Sequence, residues 1–157
     1  MNKKILLITT TTNDSELLMA WRSNPLVYKY LYLQEFPLIW EDHLSWFSKN
    51  LYNPDRRMYT VFYKSRRIGF TSIYNFFTGI PEVMLYIGET TLWNRGVGKQ
   101  IITTLLDLSS QDLKHYKAVC ARIMEGNTAS QKLFESCGFK KIGISRPGER
   151  YYEKIYK

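Results

Sequence analysis

The run Arg95-Gly96-Val97-Gly98-Lys99 restricts the architecture of this chain more than any other stretch. Behind it, Glu82 to Gly88 reads as a strand, and ahead of it Ile101, Ile102, Leu105, Leu106 and Leu108 recur at three and four, the spacing of an amphipathic helix. Strand, glycine turn and helix therefore follow one another directly. The first turn of a helix carries unpaired N–H groups and about half a positive charge, so small residues at its mouth let a phosphate approach the backbone. Gly96 and Gly98 supply the room, and Arg95 and Lys99 add charge. Taken alone, two spaced glycines suit a plain turn with a basic cap equally well. Neither the full dinucleotide-binding glycine pattern nor the longer phosphate loop of nucleotide hydrolases is present.

The rest of the chain places this turn in an α+β frame. Ile5 to Thr10 reads as an opening strand, and Asn13-Asp14-Ser15 offers caps for a helix carrying Leu17, Leu18 and Trp21. Asn24-Pro25 ends that helix, and a Tyr-rich connection from Tyr28 to Phe36 leads through Pro37 to a second helix with Trp40, Leu44 and Phe47 on one face. A turn over Leu51 to Arg57 precedes a hairpin, Met58–Lys64 and Arg67–Phe76, and Glu82 to Gly88 completes a meander. After the glycine turn and its helix come a strand at Ala118–Met124 and a helix at Asn127–Cys137 with Ala129, Leu133 and Phe134 inward, stopped by Gly138. Two strands close the chain, Lys140–Ile144 and Tyr151–Tyr156. The meander before the glycine turn looks antiparallel, which argues against a doubly wound parallel sheet. With 157 residues and no linker or repeat, a single domain over residues 1–157 is expected.

These elements resemble the GNAT superfamily of N-acetyltransferases. The run from Leu85 to Lys99 resembles the acetyl-CoA motif Gln/Arg-x-x-Gly-x-Gly/Ala, with Gly96 and Gly98 matching and Trp93 where Gln or Arg is usual. Downstream, Asn127-x-x-Ser130-x-x-x-Phe134-x-x-x-Gly138-Phe139 resembles the second signature of the family. The resemblance covers essentially the whole chain. It implies a GNAT fold of the α/β (α+β) class, a mixed, mostly antiparallel sheet of about seven strands with about four helices. It also implies acetyl-CoA as co-substrate: the backbone of Tyr86, Ile87 and Gly88 along the pantetheine, the amides of Trp93, Asn94, Arg95, Gly96, Val97, Gly98 and Lys99 around the pyrophosphate, and Asn127, Ser130 and Phe134 on the far side. As an N-cap, Asn127 has an equally good structural reason to be there.

Acetyl transfer needs a deprotonated amine, a polarised carbonyl and a destination for the proton. Glu82 is the candidate base, since family members with a Glu at this place use it so; an ordinary strand carboxylate paired with an Arg is the competing reading. The oxyanion would rest on a strand amide near Ile87. Where many relatives carry a Tyr that protonates the departing thiolate, this chain has Phe134. A thiol of pKa about 8.5 leaves tolerably without it, with solvent or another Tyr as donor. Loss of that Tyr also keeps a non-catalytic acetyl-CoA sensor in view.

The acceptor is read from the N-terminal half. Trp21-Arg22-Ser23-Asn24-Pro25 and His43-Leu44-x-Trp46 resemble elements of the nucleotide-linked amino-sugar N-acetyltransferases, pseudaminic acid pathway type, and less closely those of ribosomal-protein N-terminal acetyltransferases. Trp21, Arg22, Asn24, His43 and Trp46 are therefore the candidate substrate-binding residues, and the amine of a nucleotide-linked sugar is the leading acceptor, with a protein N-terminus as the alternative. The formal charge of +8 fits an anionic ligand. Its Lys and Arg residues fall in scattered pairs without a reading motif, which argues against nucleic acid. Neither Cys120 nor Cys137 has zinc or redox spacing, so buried thiols, no metal and a cytoplasmic location are expected, without a membrane partner. His115 reads as a surface loop residue, and so aromatic a chain suits a homodimer.

Overall fold

The computed structural model describes residues 5–31 and 34–156. In chain order its elements are β1 (Ile5–Thr9), α1 (Ser15–Arg22), α2 (Pro25–Tyr28), α3 (Trp40–Leu51), β2 (Arg56–Tyr63), β3 (Arg66–Tyr74), β4 (Glu82–Ile87), α4 (Val97–Leu108), α5 (Ser110–Leu113), β5 (Ala118–Met124), α6 (Thr128–Ser136), β6 (Lys140–Arg146) and β7 (Glu149–Ile155). The strands form one seven-stranded sheet in the order β1-β2-β3-β4-β5-β7-β6. Every neighbouring pair is antiparallel except β4 and β5, which are parallel. This is the mixed, mostly antiparallel sheet that the sequence implies. Among the described residues four helices have eight residues or more, and α2 and α5 are single turns.

Alternation along the strands sorts side chains to two faces. On β4, Val83 and Leu85 join the cluster of Ile73, Ile102, Leu105, Val119 and Phe134 beneath α4 and α6. Met84 and Tyr86 point the other way, to Leu18, Trp21, Phe47, Met58 and Phe70 beneath α1 and α3. Phe70 and Tyr86 are register partners on β3 and β4, and their rings stack 5.5 Å apart. Glu82 shares the face of Met84 and Tyr86, and this parity decides which layer its carboxylate meets.

Several boundaries differ from the sequence reading, each for a physical reason. Asn24 does end α1, yet its side chain then accepts from Leu26 N–H, 3.0 Å away, and Pro25 opens a new helical turn as the first residue of α2. The turn at Asn53-Pro54-Asp55 is shorter than Leu51 to Arg57, because Arg56 and Arg57 already pair with Tyr74 and Ile73 of β3. On α3 the buried residues are His43 and Phe47, while Trp40 and Leu44 are over a third exposed. A histidine takes the inner face there because its Nε2 reaches the carbonyl of Ser15 at 2.8 Å and the hydroxyl at 3.1 Å. On α6 Ala129 is exposed and Leu133 half-buried, so Phe134 and Gln131 make the inner contacts. Cys120 is buried as expected, Cys137 is only half-buried, and His115 lies exposed in a turn. Part of the Tyr-rich connection, Tyr32 and Leu33, lies outside the described residues, as do Lys3 and Lys4.

Candidate active site

Strands β4 and β5 touch at only one register pair, Glu82 with Cys120, whereas β4 pairs with β3 over six residues. Beyond that point the two strands part. Into the opening looks a cleft of about 370 Å³, walled by Leu85, Tyr86 and Ile87 on one side and by Asn127, Ala129, Ser130 and Leu133 on the other. Its floor is the mouth of α4, with Trp93, Asn94, Gly96, Val97, Gly98 and Lys99. Leu26, Val27, Tyr30 and Leu31 form a lip from α2 and the residues after it.

The glycine turn has the conformation its sequence requires. Gly96 caps α4 in the left-handed region at φ +78°, preceded by Asn94 at φ +58°, and a Cβ on Gly96 would meet nothing within 4 Å. The backbone therefore turns sharply into open space, leaving the first amides of α4 facing the cleft. Gly98 is small for a different reason: its Cβ would stand 2.7 Å from Leu133 Cδ2, so α6 packs directly on α4 here. Arg95 and Lys99 are exposed at the rim.

Along β4 the backbone groups alternate. Gly88 N–H donates to Ile68 of β3 at 2.8 Å, so the groups of Tyr86 and Gly88 point toward β3, and those of Leu85 and Ile87 point into the gap. Of the three residues expected along the pantetheine, only Ile87 presents its backbone there, and Leu85 joins it. The Ile87 carbonyl already accepts from Trp93 Nε1 at 2.9 Å. The Ile87 amide is left facing the opening. Asn127 caps α6, its side chain accepting from Ser130 N–H at 3.1 Å, and both residues line the wall opposite β4. Phe134 does not reach the cleft. It is buried edge-on against Phe139, 5.0 Å between ring centres, and Leu133 takes its place on the wall. One residue along a helix turns the side chain by about 100°, which separates these two.

A second cavity of about 200 Å³ lies on the other face of β4, lined by Leu18, Arg22, His43, Trp46, Arg56, Phe70, Tyr74, Met84 and Tyr86. Tyr86 lines both spaces and stands between them. Of the five residues predicted for the acceptor, Arg22, His43 and Trp46 come together on this wall. Trp21 is instead a core residue, edge-on to Tyr86 with its ring against Gly88, and Asn24 is the cap of α2. Sequence reasoning missed Arg56 and Tyr74. Their signal was the start and end of the hairpin strands, which pair Arg56 with Tyr74 across the sheet.

Glu82 sits just behind this cavity. Only 4% of it is exposed, and it accepts a short hydrogen bond from the Tyr74 hydroxyl, with Arg122 Nε at 3.4 Å and Cys120 Sγ at 3.9 Å. Burial pushes its carboxyl above the usual range, and the nearby Glu149 adds to that; the Tyr74 hydrogen bond and Arg122 pull the other way without cancelling it. Burial holds Tyr74 and Tyr86 firmly protonated and raises the Cys120 thiol to about 11, which leaves it inert. His43 is pulled below its ordinary value by burial and by Arg22, against the bond to Ser15. It is neutral at neutral pH, with Nε2–H donating to the Ser15 carbonyl.

An open strand gap beside a glycine-capped helix has the shape and the free backbone groups to take an extended ligand ending in an anion. The model of the family described as acetyltransferase (GNAT) domain matches residues 4–140. This chain belongs to that family. GNAT domains are acyltransferases whose general reaction is acetyl-CoA-dependent N-acetylation. An uncharacterised protein of Methanocaldococcus jannaschii is 41% identical over 97% of the chain; the chain spans 31% of that protein's length. The crystal structure of a domain from the same organism is 38% identical with a TM-score of 0.90, covering 99% of this chain and 100% of that one. The Campylobacter jejuni N-acetyltransferase PseH shares the GNAT fold at 18% identity and a TM-score of 0.71, over 98% of this chain and 99% of that one. Among the described residues no helix is long and apolar enough to cross a membrane.

Proposed function

We propose that this domain moves the acetyl group of acetyl-CoA onto the amine of a nucleotide-linked amino sugar, with Glu82 as general base. The observation that carries this reading is the buried Glu82 carboxylate, hydrogen-bonded to Tyr74 on the wall of a cavity that shares Tyr86 with the cleft. A carboxyl raised above its ordinary range ionises nearer neutrality, where it accepts an ammonium proton more readily than an exposed glutamate. The amine, once deprotonated, attacks the thioester carbonyl, the N–C bond forms and the C–S bond breaks. The amide of Ile87, facing the gap, is the donor best placed for the developing oxyanion.

The coenzyme's pantetheine would run along Leu85 and Ile87, its diphosphate against the amides from Gly96 to Lys99 with Arg95 and Lys99 at the rim, and Asn127 and Ser130 would close the far side. Phe134 stays in the core and donates no proton. Protonation of the thiolate falls to solvent or to Tyr30, a phenol on the cleft wall. Arg22, His43 and Trp46, joined by Arg56, would hold the acceptor. Aromatic walls with arginines suit a sugar carrying a diphosphate.

Thiol release from acetyl-CoA, measured with UDP-linked 4-amino sugars, N-terminal peptides and no acceptor, tests the reading. Turnover with the sugar nucleotides is expected. Turnover with peptides alone transfers the assignment to protein N-termini, and coenzyme binding without turnover on any amine makes the domain a sensor.

A further inference from the structure

The cavity behind Tyr86 holds more positive charge than the transfer of an acetyl group requires. Arg22 and Arg56 flank one indole, their guanidinium carbons 5.7 Å and 5.6 Å from the centre of Trp46, and Arg56 also lies 4.3 Å over the ring of Tyr74. Among the described residues neither makes an ion pair. Arg22 donates to Gln34 Oε1 at 3.2 Å, but its Nε is buried with no partner, and Arg56 is held by ring faces without a hydrogen bond. Both lose solvation to burial, and each repels the other enough that Arg56 is further lowered by Arg22. The carboxylates nearest Arg56 are committed elsewhere: Glu82 to Tyr74 and Arg122, Asp55 to Phe77 N–H at 2.6 Å and Thr78 Oγ1 at 2.8 Å.

Two half-buried like charges around one ring, with unused N–H donors, cost the fold energy unless something negative arrives. Arginine remains charged under such conditions, and its planar fork matches phosphate and carboxylate oxygens. Neutral His43, on the same wall, has an Nδ1 without a partner and adds no positive charge. We propose that Arg22 and Arg56 form a seat for an oxyanion carried by the acceptor itself, so that the enzyme selects amines bearing phosphate or carboxylate and rejects polycationic amines. This rests on the smaller cavity being the acceptor site. It assigns Arg56 as a specificity residue and makes an oxyanion on the acceptor the feature that is selected.

Calorimetric titration of the protein saturated with CoA, so that its own diphosphate site is filled, tests the seat directly. Inorganic pyrophosphate and UDP serve as phosphate probes, succinate as the carboxylate probe and spermidine as the cationic control. At least one anion should bind and spermidine should not. Arg56→Gln and Arg22→Gln should each weaken that anion by about tenfold to about a hundredfold, the loss of one charged hydrogen-bonding partner, with CoA affinity unchanged. Arg56→Lys, which keeps the charge and loses the fork, should fall between and serves as the second variant if Gln unfolds the site. Preference for pyrophosphate and UDP over succinate assigns the oxyanion to a phosphate; the reverse assigns a carboxylate. Anion binding that is equal in wild type and variants, binding by neither anion, or tighter binding of spermidine overturns the proposal. Anion binding lost in the variants, with no amine acetylated, would keep the seat and remove only the acetyl-transfer reading.

Discussion

Replacing Glu82 by Gln separates chemistry from structure at the residue on which the proposed mechanism turns. Gln has nearly the same shape and keeps an oxygen for the Tyr74 hydroxyl, so the local packing survives. What is lost structurally is the contact with Arg122, at 3.4 Å to a side chain 42% exposed; solvent screening holds such a pair to about 1 kcal/mol or less. What is gained is release from burying a charge. The melting temperature should therefore move by no more than about 4 °C for a domain of this size. Turnover should fall by about a hundredfold to about ten-thousandfold, the usual worth of a positioned base, or about 3 to 5 kcal/mol of barrier.

The two readouts have opposite pH signatures. Because the folded pKa of Glu82 is raised, the protonated form is the one the fold favours. Its stabilising contribution is full below the ordinary carboxylate value and is lost as pH rises through the raised folded value. Measured by thermal melts, the stability of Glu82→Gln relative to wild type should thus improve from acid toward neutral pH. Activity runs the other way: wild-type kcat/KM should fall as acid protonates Glu82, and the variant should lack that limb while keeping the one set by the acceptor's own ammonium. Retention of kcat/KM within about threefold, with the acidic limb intact, removes Glu82 as the base.

Tyr74→Phe takes away the hydrogen bond that favours the charged carboxylate, so the acidic limb of kcat/KM should shift to higher pH while coenzyme affinity stays unchanged. Phe134→Tyr buries a hydroxyl beside Phe139 in the core; a lower melting temperature by about 1 to 3 kcal/mol of stability and no gain in kcat are expected, and a faster enzyme would show that this position reaches the thiolate after all. Gly98→Asp drives a Cβ into Leu133 and a carboxylate against the coenzyme's phosphates, so calorimetry should show acetyl-CoA binding abolished, with stability reduced by about 1 to 3 kcal/mol. His43 has a folded pKa below its ordinary one, so its contribution to stability is present above about pH 6.5 and disappears as pH falls through the lowered value. Melts of His43→Asn between about pH 7 and about pH 5 should be flatter than those of wild type.

Periodicity made the elements legible, and it failed where a polar group decided a face. Ile101, Ile102, Leu105 and Leu106 are buried as their spacing required, whereas Leu108, placed on the same face by the sequence, is 53% exposed at the last residue of α4, where the sheet no longer lies beneath the helix. On α3 the inner position went to His43, whose cost is met by Ser15, a partner 28 residues away that no local pattern announces. Pro25 was legible as a stop and not as a start, since one residue ends α1 and opens α2. Among the residues expected to hold the acceptor, Arg22, His43 and Trp46 converge although they come from two helices, whereas Trp21, adjacent to Arg22, turns into the core. Arg56 lay hidden because the Asn53-Pro54-Asp55 turn masks where β2 begins.

The parting of β4 from β5 is the feature least visible in the chain and the one on which the proposed coenzyme site depends. Nothing in Leu85 to Gly88 marks it, because those residues continue an ordinary strand and pair normally with β3. The cause is tertiary. Cys120 N–H bonds to the Pro81 carbonyl at 2.8 Å and fixes the strands at one end, while beyond it α4 and α6 meet through Gly98 and Leu133. Beyond the pair of Glu82 with Cys120 the amides of Leu85 and Ile87 keep no sheet partner on that side. An unpaired strand edge is ordinarily an aggregation hazard; covered by a lip from α2 and backed by two helices, it becomes a protected edge to which an extended ligand can add. The glycine at position 98 thus serves twice over, letting α6 pack directly on α4 through Leu133 and leaving the mouth of α4 unobstructed.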